Sequence, residues 1–110
     1  MISFDDFLKV DIRVGRIISV EEYPEARKPS YKVRVDFGSE IGVKQSSAQL
    51  PKTYSKDELM GKQVICVVNF PPKQIGSFMS EVLILGVPGG NGGVILLQPE
   101  REVDLGVRLF

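Results

Sequence analysis

Tyr31-Lys-Val-Arg-Val-Asp-Phe37 alternates apolar and charged residues without interruption. A period of two predicts a β-strand that buries one face and exposes the other. A similar alternation runs from Asp11 to Val20, with Ile18 on the apolar face, and a third apolar segment follows at Ile41–Gln45. These segments are predicted to form three consecutive strands of an antiparallel sheet. Gly15 interrupts the first strand and is expected to mark a bulge or a sharp bend.

Two short helices are predicted from their capping residues. Ser3 can cap a first helix that carries Phe4 and Leu8 on its apolar face. Ser55-Lys-Asp-Glu58 has the form of a capping box, which predicts a second helix after the third strand. Helices this short are not stable alone, so each is expected to pack against the sheet or against another molecule.

The second half of the chain contains three further apolar segments that predict strands. These segments are Val64–Val68, Met79–Leu85 and Val94–Gln98. Pro71–Gly76 is predicted to be a loop and Pro88–Gly93 a turn, because proline and glycine punctuate both. Val107–Phe110 is predicted to be a short edge strand at the end of the chain.

The order of these elements excludes a parallel β/α fold, because only one predicted helix lies between strands. Three strands, one helix and two further strands is the order of the OB-fold, a five-stranded Greek-key barrel. We therefore predict an all-β fold with short helices, in which an OB-fold barrel carries an N-terminal helix and a C-terminal extension. A chain of 110 residues is expected to form one domain, residues 1–110.

The composition excludes several classes of function. The 14 basic and 14 acidic residues give no net charge, which argues against binding to nucleic acid or membrane by bulk charge alone. With no histidine and a single cysteine, Cys66, one chain cannot build an imidazole-based catalytic pair, a zinc site or a disulfide. No catalytic residue, metal site or cofactor is predicted. Because no membrane span or signal peptide is evident, a cytoplasmic location without membrane insertion is expected.

Positive charge is concentrated in residues 41–80, which contain five basic and two acidic residues. On an OB-fold, lysines can hold phosphates, while hydroxyl and amide groups hydrogen-bond base edges. The candidate ligand-binding residues are Lys44, Ser46, Asn69, Lys73, Ser80 and Glu81. The alternative is that these residues form turns and exposed polar surface without a ligand. Asn69 in particular can bond backbone groups at a strand end, a ligand, or both.

Apolar residues outside the expected core indicate two further interactions. Phe70 and Phe78 flank the proline-rich loop and are candidates for an apolar pocket that binds peptide side chains. Tyr31 and Phe37 lie on the alternating apolar face and are expected in the core. The amphipathic first helix and the apolar end Val107–Phe110 lie outside a minimal barrel, which favours their burial in a homodimer.

Several strings of unusual composition occur along the chain. They are Asp11-Ile-Arg-Val-Gly-Arg-Ile17, Pro24-Glu-Ala-Arg27, Val35-Asp-Phe-Gly38, Gly61-Lys-Gln-Val64, Asn69-Phe-Pro-Pro-Lys73 and Gly76-Ser-Phe-Met-Ser-Glu81. Together they resemble the tRNA-binding domain of several synthetase-associated proteins, over about residues 4–110. Gly42-Val-Lys-Gln-Ser-Ser-Ala-Gln49 and Ser80-Glu-Val-Leu-Ile-Leu-Gly86 make the chain most similar to the free-standing CsaA type of that family.

The resemblance implies an OB-fold homodimer that binds tRNA without catalysis and acts as an export-related chaperone. It also implies binding roles for Lys44, Asn69, Lys73, Ser80 and Glu81. The expected partners are a second copy of the chain, tRNA, and unfolded or export-bound polypeptides. One departure agrees with the CsaA type: the family usually has Ser-Glu-Gly-Met where this chain has Ser80-Glu-Val-Leu83. The competing hypothesis is a peptide-binding chaperone that has no physiological RNA ligand.

Overall fold

Five antiparallel strands form the central sheet of the computed structural model, which describes all residues 1–110. Across the sheet they are β3 (Val43–Ala48), β2 (Tyr31–Asp36), β1 (Ile12–Glu22), β4 (Gln63–Val67) and β7 (Leu83–Ile84). Helix α1 (Phe4–Leu8) precedes β1, and helix α2 (Lys56–Leu59) lies between β3 and β4. The sheet curls until β3 contacts β7, which gives a nearly closed barrel. The predicted all-β OB-fold with short helices is confirmed.

Two small hairpins stand outside the central sheet. One pairs β5 (Lys73–Ile75) with β6 (Phe78–Ser80), and the other pairs β8 (Gly86–Pro88) with β9 (Val94–Leu96). The prediction that Pro71–Gly76 is only a loop is therefore wrong, and the predicted strand Met79–Leu85 is divided between β6 and β7. The physical reason is Gly76, whose φ of 61° lets the chain reverse over two residues and fold β6 back onto β5.

Strand β1 pairs with two neighbouring strands, one after the other along its length. Its first half pairs with β4 and its second half with β2, and Arg16 pairs with both strands. The irregularity is one extra residue at Ile18, not at Gly15 as predicted, so Ile18 points to solvent while Ile17 is buried. Gly15 lies in regular register, and an added Cβ there would meet Val35 at 2.5 Å. Glycine is therefore required at position 15 for close packing over the core.

The core lies inside the barrel and matches the alternating pattern of the second strand. Its buried members are Ile17, Tyr31, Val33, Val35, Phe37, Leu50, Leu59, Val64, Cys66, Val82 and Leu96. Burial raises the pKa of the Cys66 thiol to about 12, so this group stays neutral and behaves as a small apolar side chain.

Both helices begin with the predicted caps. Ser3 and Asp6 form a capping box at α1, and Ser55 and Glu58 form another at α2. Helix α2 buries Leu59 in the core, whereas α1 buries none of its residues. Neither helix is long and apolar enough to cross a membrane.

The C-terminal segment, residues 98–110, is tied along β1 and β4. Near its end, the Val14 amide donates to the Val107 carbonyl at 3.1 Å and the Leu109 amide donates to the Ile12 carbonyl at 2.9 Å. The segment Val107–Phe110 therefore pairs with β1, although only one bridge, Arg13 to Arg108, is regular. The buried Gln63 side chain adds a second tie by bonding both the amide and the carbonyl of Val103.

Candidate functional site

The β5–β6 hairpin is fastened to the free edge of β3. The Gln45 amide donates to the Glu81 carboxylate at 3.1 Å, and the Gln45 carbonyl accepts from the Glu81 amide at 2.8 Å. The Ser47 amide donates to the Ser80 hydroxyl at 3.1 Å. These groups occupy positions where a neighbouring strand would pair, so they satisfy the β3 edge and close the barrel. In this structure Ser80 and Glu81 thus have architectural partners.

Ser46 lies beneath this contact. Its side chain faces the core, with 2% of the residue exposed, because Gln45 and Ser47 take the outward positions of β3. Its hydroxyl accepts a hydrogen bond from the Ser80 hydroxyl at 3.3 Å. Ser46 therefore supports Ser80 from below, and its hydroxyl is used within the protein.

Asn69 binds backbone groups at the end of β4. Its side-chain oxygen accepts from the Asp11 amide at 2.9 Å, and its side-chain nitrogen donates to the Lys9 carbonyl at 2.8 Å. Of the two roles considered for Asn69, the structure shows the capping role. The residue connects the end of α1 to the barrel.

Neither of the two candidate lysines makes an ion pair or a side-chain hydrogen bond. The two residues lie on different strands. Lys44 is half-buried on β3, opposite Val35. Lys73 is exposed at the start of β5, opposite Ser80. Lys44 lines none of the grooves that surround the hairpin, whereas Lys73 lines two of them.

The first groove, called here the polar groove, has a volume of about 560 Å³. It lies between the loop after β1, the end of β3 and the β5–β6 hairpin. Its charged residues are Arg27, Lys28 and Lys73, with Glu25 as the single acid, and Ser47, Gln49 and Gln74 add polar groups. A smaller groove of about 240 Å³ adjoins the polar groove, since Lys28 and Gln49 line both. The smaller groove is also lined by a further cation, Lys52.

None of these four cations has an ion-pair partner. The basic residues that do form ion pairs are Lys9, Arg13, Arg16, Lys56, Arg101 and Arg108. Sequence reasoning missed Arg27, Lys28 and Lys52, since nothing in the residue order shows that the loop after β1 faces the hairpin. The sequence did contain one indication that this loop matters: Pro24-Glu-Ala-Arg27 is one of the strings on which the family resemblance rests.

The two candidate phenylalanines fall on different surfaces. Phe78 is half-buried against Tyr23, with ring centroids 5.7 Å apart, and the Lys32 ammonium lies 4.6 Å from the Tyr23 ring centroid. Phe70 is 49% exposed and lines a second groove beside the hairpin, of about 340 Å³, called here the Phe70 groove. Its other lining residues are Pro71, Lys73, Ser80, Glu81, Val82 and Leu83. The structure therefore does not place Phe70 and Phe78 in one pocket.

The resolved changes in pKa lie away from these grooves. Hydrogen bonds from Arg16 hold the pKa of Glu102 below its ordinary value of 4.5, and the cap at Ser55 lowers the pKa of Glu58. No group of three or more His, Cys, Asp or Glu side chains is placed to hold a metal ion. The groups that the structure places around the hairpin are cations without ion-pair partners, hydrogen-bonding groups and one exposed ring.

Comparison with known proteins shows consistent matches. The model of the tRNA binding domain family matches residues 12–108. The CsaA chaperone protein of Picrophilus torridus has a structure with a TM-score of 0.94 at 52% identity, covering all of both chains. That of Bacillus anthracis has a TM-score of 0.92 at 49% identity, covering 100% of this chain and 99% of the other.

A curated relative is far longer than this chain. The methionine–tRNA ligase of Thermococcus onnurineus is 42% identical over 108 residues, which is 98% of this chain. The chain spans only 14% of the length of that ligase. The similarity therefore concerns one part of the ligase.

Proposed function

Because this chain belongs to the tRNA-binding domain family and to its CsaA type, we propose that it binds tRNA-like RNA in the polar groove without catalysing a reaction. One observation carries the proposal. Arg27 and Lys28 from the loop after β1 meet Lys73 from β5 in one groove, and none of the three has an ion-pair partner, in a chain whose net charge is zero. Unpaired cations that meet in a groove are suited to a phosphate backbone, which repeats its charge along its length.

The salt dependence of tRNA binding tests this proposal. Each phosphate contact contributes about 0.7 to 0.9 to the slope of log affinity against log salt, so three or four contacts give a slope of about −2 to −4. Titration of fluorescently labelled tRNA at several salt concentrations measures it. The absence of binding at low salt, or a slope near zero, would refute the proposal.

We propose in addition that the protein acts as a homodimer. Helix α1 buries none of its residues and leaves Phe4 68% exposed, and Phe110 at the other end of the chain is also fully exposed. The Arg108 side chain donates to the Leu8 carbonyl at 2.7 Å, which ties the end of α1 to the C-terminal segment. A second copy would bury the exposed apolar residues of both. Sedimentation equilibrium that showed only a 12.2 kDa species at micromolar concentration would contradict this.

A second candidate function is the binding of unfolded or export-bound polypeptides, as the word chaperone in the names of the two CsaA relatives suggests. The observation that favours it is the apolar part of the Phe70 groove, where Phe70 and Leu83 are about half exposed. We place either function in the cytoplasm. The test is titration with an unfolded model polypeptide: binding that is insensitive to salt and lost in Phe70→Ala would support it.

A further inference from the structure

The Phe70 groove combines an apolar surface with a polar rim. Phe70, Pro71 and Leu83 are exposed apolar residues, and buried Val82 forms part of the lining. Glu81 lines the groove as well, and its carboxylate accepts a hydrogen bond from the Gln45 amide at the edge of β3. The groove therefore offers an exposed aromatic ring for stacking, with the cation Lys73 in the same lining.

Lys73 connects this groove with the polar groove, because it lines both. A polymer whose phosphates lie in the polar groove reaches the Phe70 groove by passing Lys73. A nucleotide at that point would have its phosphate at the lysine and its base at the ring of Phe70, since both residues line the same groove. A nucleotide supplies both a flat ring for Phe70 and an anion for Lys73, whereas an aliphatic peptide side chain supplies no anion.

We infer that the Phe70 groove binds an unpaired nucleobase of the RNA whose backbone occupies the polar groove, with the base stacked on Phe70. This inference rests on the proposed RNA-binding function. It assigns the groove to a base and not to the side chain of an unfolded polypeptide. It also assigns to the protein a preference for RNA that has at least one unpaired nucleotide, because a base within a duplex is already stacked and is not free to enter the groove.

The experiment compares two RNA probes, a stem with an unpaired loop and a blunt duplex of equal charge. In Phe70→Leu, which keeps an apolar side chain but removes the ring, affinity for the stem-loop should fall by about 5- to 150-fold, the range for losing one stacked base. The salt slope should stay unchanged, because no cation is removed, and duplex affinity should change little. Met60→Leu is the matched control, since it alters another apolar side chain that is 49% exposed, outside both grooves and outside the proposed dimer surface.

A second readout does not depend on affinity. A stem-loop with 4-thiouridine in the loop should cross-link under near-ultraviolet light to the peptide that contains Phe70, as identified by mass spectrometry. Unchanged stem-loop affinity in Phe70→Leu, or cross-links confined to other peptides, would overturn the inference. The proposed function would still stand in that case if the salt slope of RNA binding were about −2 to −4. Loss of polypeptide binding in Phe70→Leu with RNA binding intact would overturn it too, and would assign the groove to peptide. If the wild-type protein binds neither probe, both proposals fail.

Discussion

The hydroxyl of Tyr23 donates a hydrogen bond to the backbone carbonyl of Ile75, a residue 52 positions further along the chain. Tyr23 is 2% exposed, so the end of β1 and the β5–β6 hairpin meet at a buried polar contact. A Cβ atom on Gly76 would lie 2.6 Å from the Tyr23 hydroxyl oxygen, so only glycine permits this approach. The far end of the hairpin is thereby fixed beside the polar groove, just as Ser80 and Glu81 fix its near end.

Removing the Tyr23 hydroxyl should loosen the hairpin and weaken RNA binding. Tyr23→Phe keeps the ring contact with Phe78 but deletes the bond to Ile75, so tRNA affinity should fall by up to about fivefold. Tyr31→Phe is the matched control, because the buried Tyr31 hydroxyl donates an equivalent bond to the Tyr54 carbonyl at 2.9 Å, away from the hairpin. Both variants should lose about 1 kcal/mol of stability. Equal tRNA affinities in the two variants would argue against the role of Tyr23.

Adding a methyl group at Gly76 should lower the stability of the fold more than adding one at another glycine of similar backbone conformation. Gly76→Ala combines a φ of 61° with the contact to Tyr23, while Gly42→Ala has a φ of 84° and nothing within 4 Å of the added atom. The left-handed conformation costs an L-residue about 1–2 kcal/mol in both variants. Chemical denaturation should show a larger loss for Gly76→Ala. Similar losses of stability in the two variants would indicate that the hairpin accommodates the added methyl group without further strain.

Lys73→Ala should weaken tRNA binding and flatten its salt dependence together. Loss of one phosphate contact reduces the magnitude of the slope by about 0.7 to 0.9. Lys62→Ala removes the same charge from the connection between α2 and β4, outside both grooves, and should leave the slope as it is. An unchanged slope in Lys73→Ala, with the fold intact, would count against Lys73 as a phosphate contact.

Glu81→Ala should affect stability first. It leaves the Gln45 amide at the β3 edge without its partner, and hydrogen bonds to charged groups contribute about 1.5–3 kcal/mol. Glu81→Gln keeps an acceptor oxygen in the same position and should lose less. Thermal unfolding of the two variants makes the comparison. If Glu81→Ala melts like the wild type, the closure of the barrel does not depend on this side chain.

Acidification should release the C-terminal segment. Arg16 bonds the Glu102 carboxylate at 2.7 and 2.9 Å and lowers its pKa in the folded protein, so this contact stabilises the fold above pH 4.5, the ordinary value. The contribution is lost as the pH falls through the lowered pKa. Amide hydrogen exchange at Val103 should therefore quicken from pH 5 to pH 3, after correction for intrinsic rates, and less so in Glu102→Gln. Glu100→Gln, whose partner is only the adjacent Arg101, should behave like the wild type.

The barrel was predictable from sequence because its signals are local. The alternation at residues 31–37 corresponds to buried positions, and the capping boxes at Ser3 and Ser55 start the two helices. The hairpin was missed because Pro71 and Pro72 read as a loop. The site was harder to predict because a polar residue type does not reveal whether its partner is backbone or ligand. Ser80 and Glu81 bond β3, while the cations of the loop after β1 reach the groove only through the tertiary fold.

The β5–β6 hairpin forms a two-stranded sheet of its own and shares no ladder with the barrel. Both of its ends are nevertheless bonded to the barrel, one at the Tyr23 hydroxyl and the other at the edge of β3. An inserted residue pair would therefore have to break one of these two attachments, so the hairpin has a fixed length. Because Lys73 pairs with Ser80 at the near end, the cation that the two grooves share keeps a constant position relative to the core, and the hairpin is a poor place for insertions.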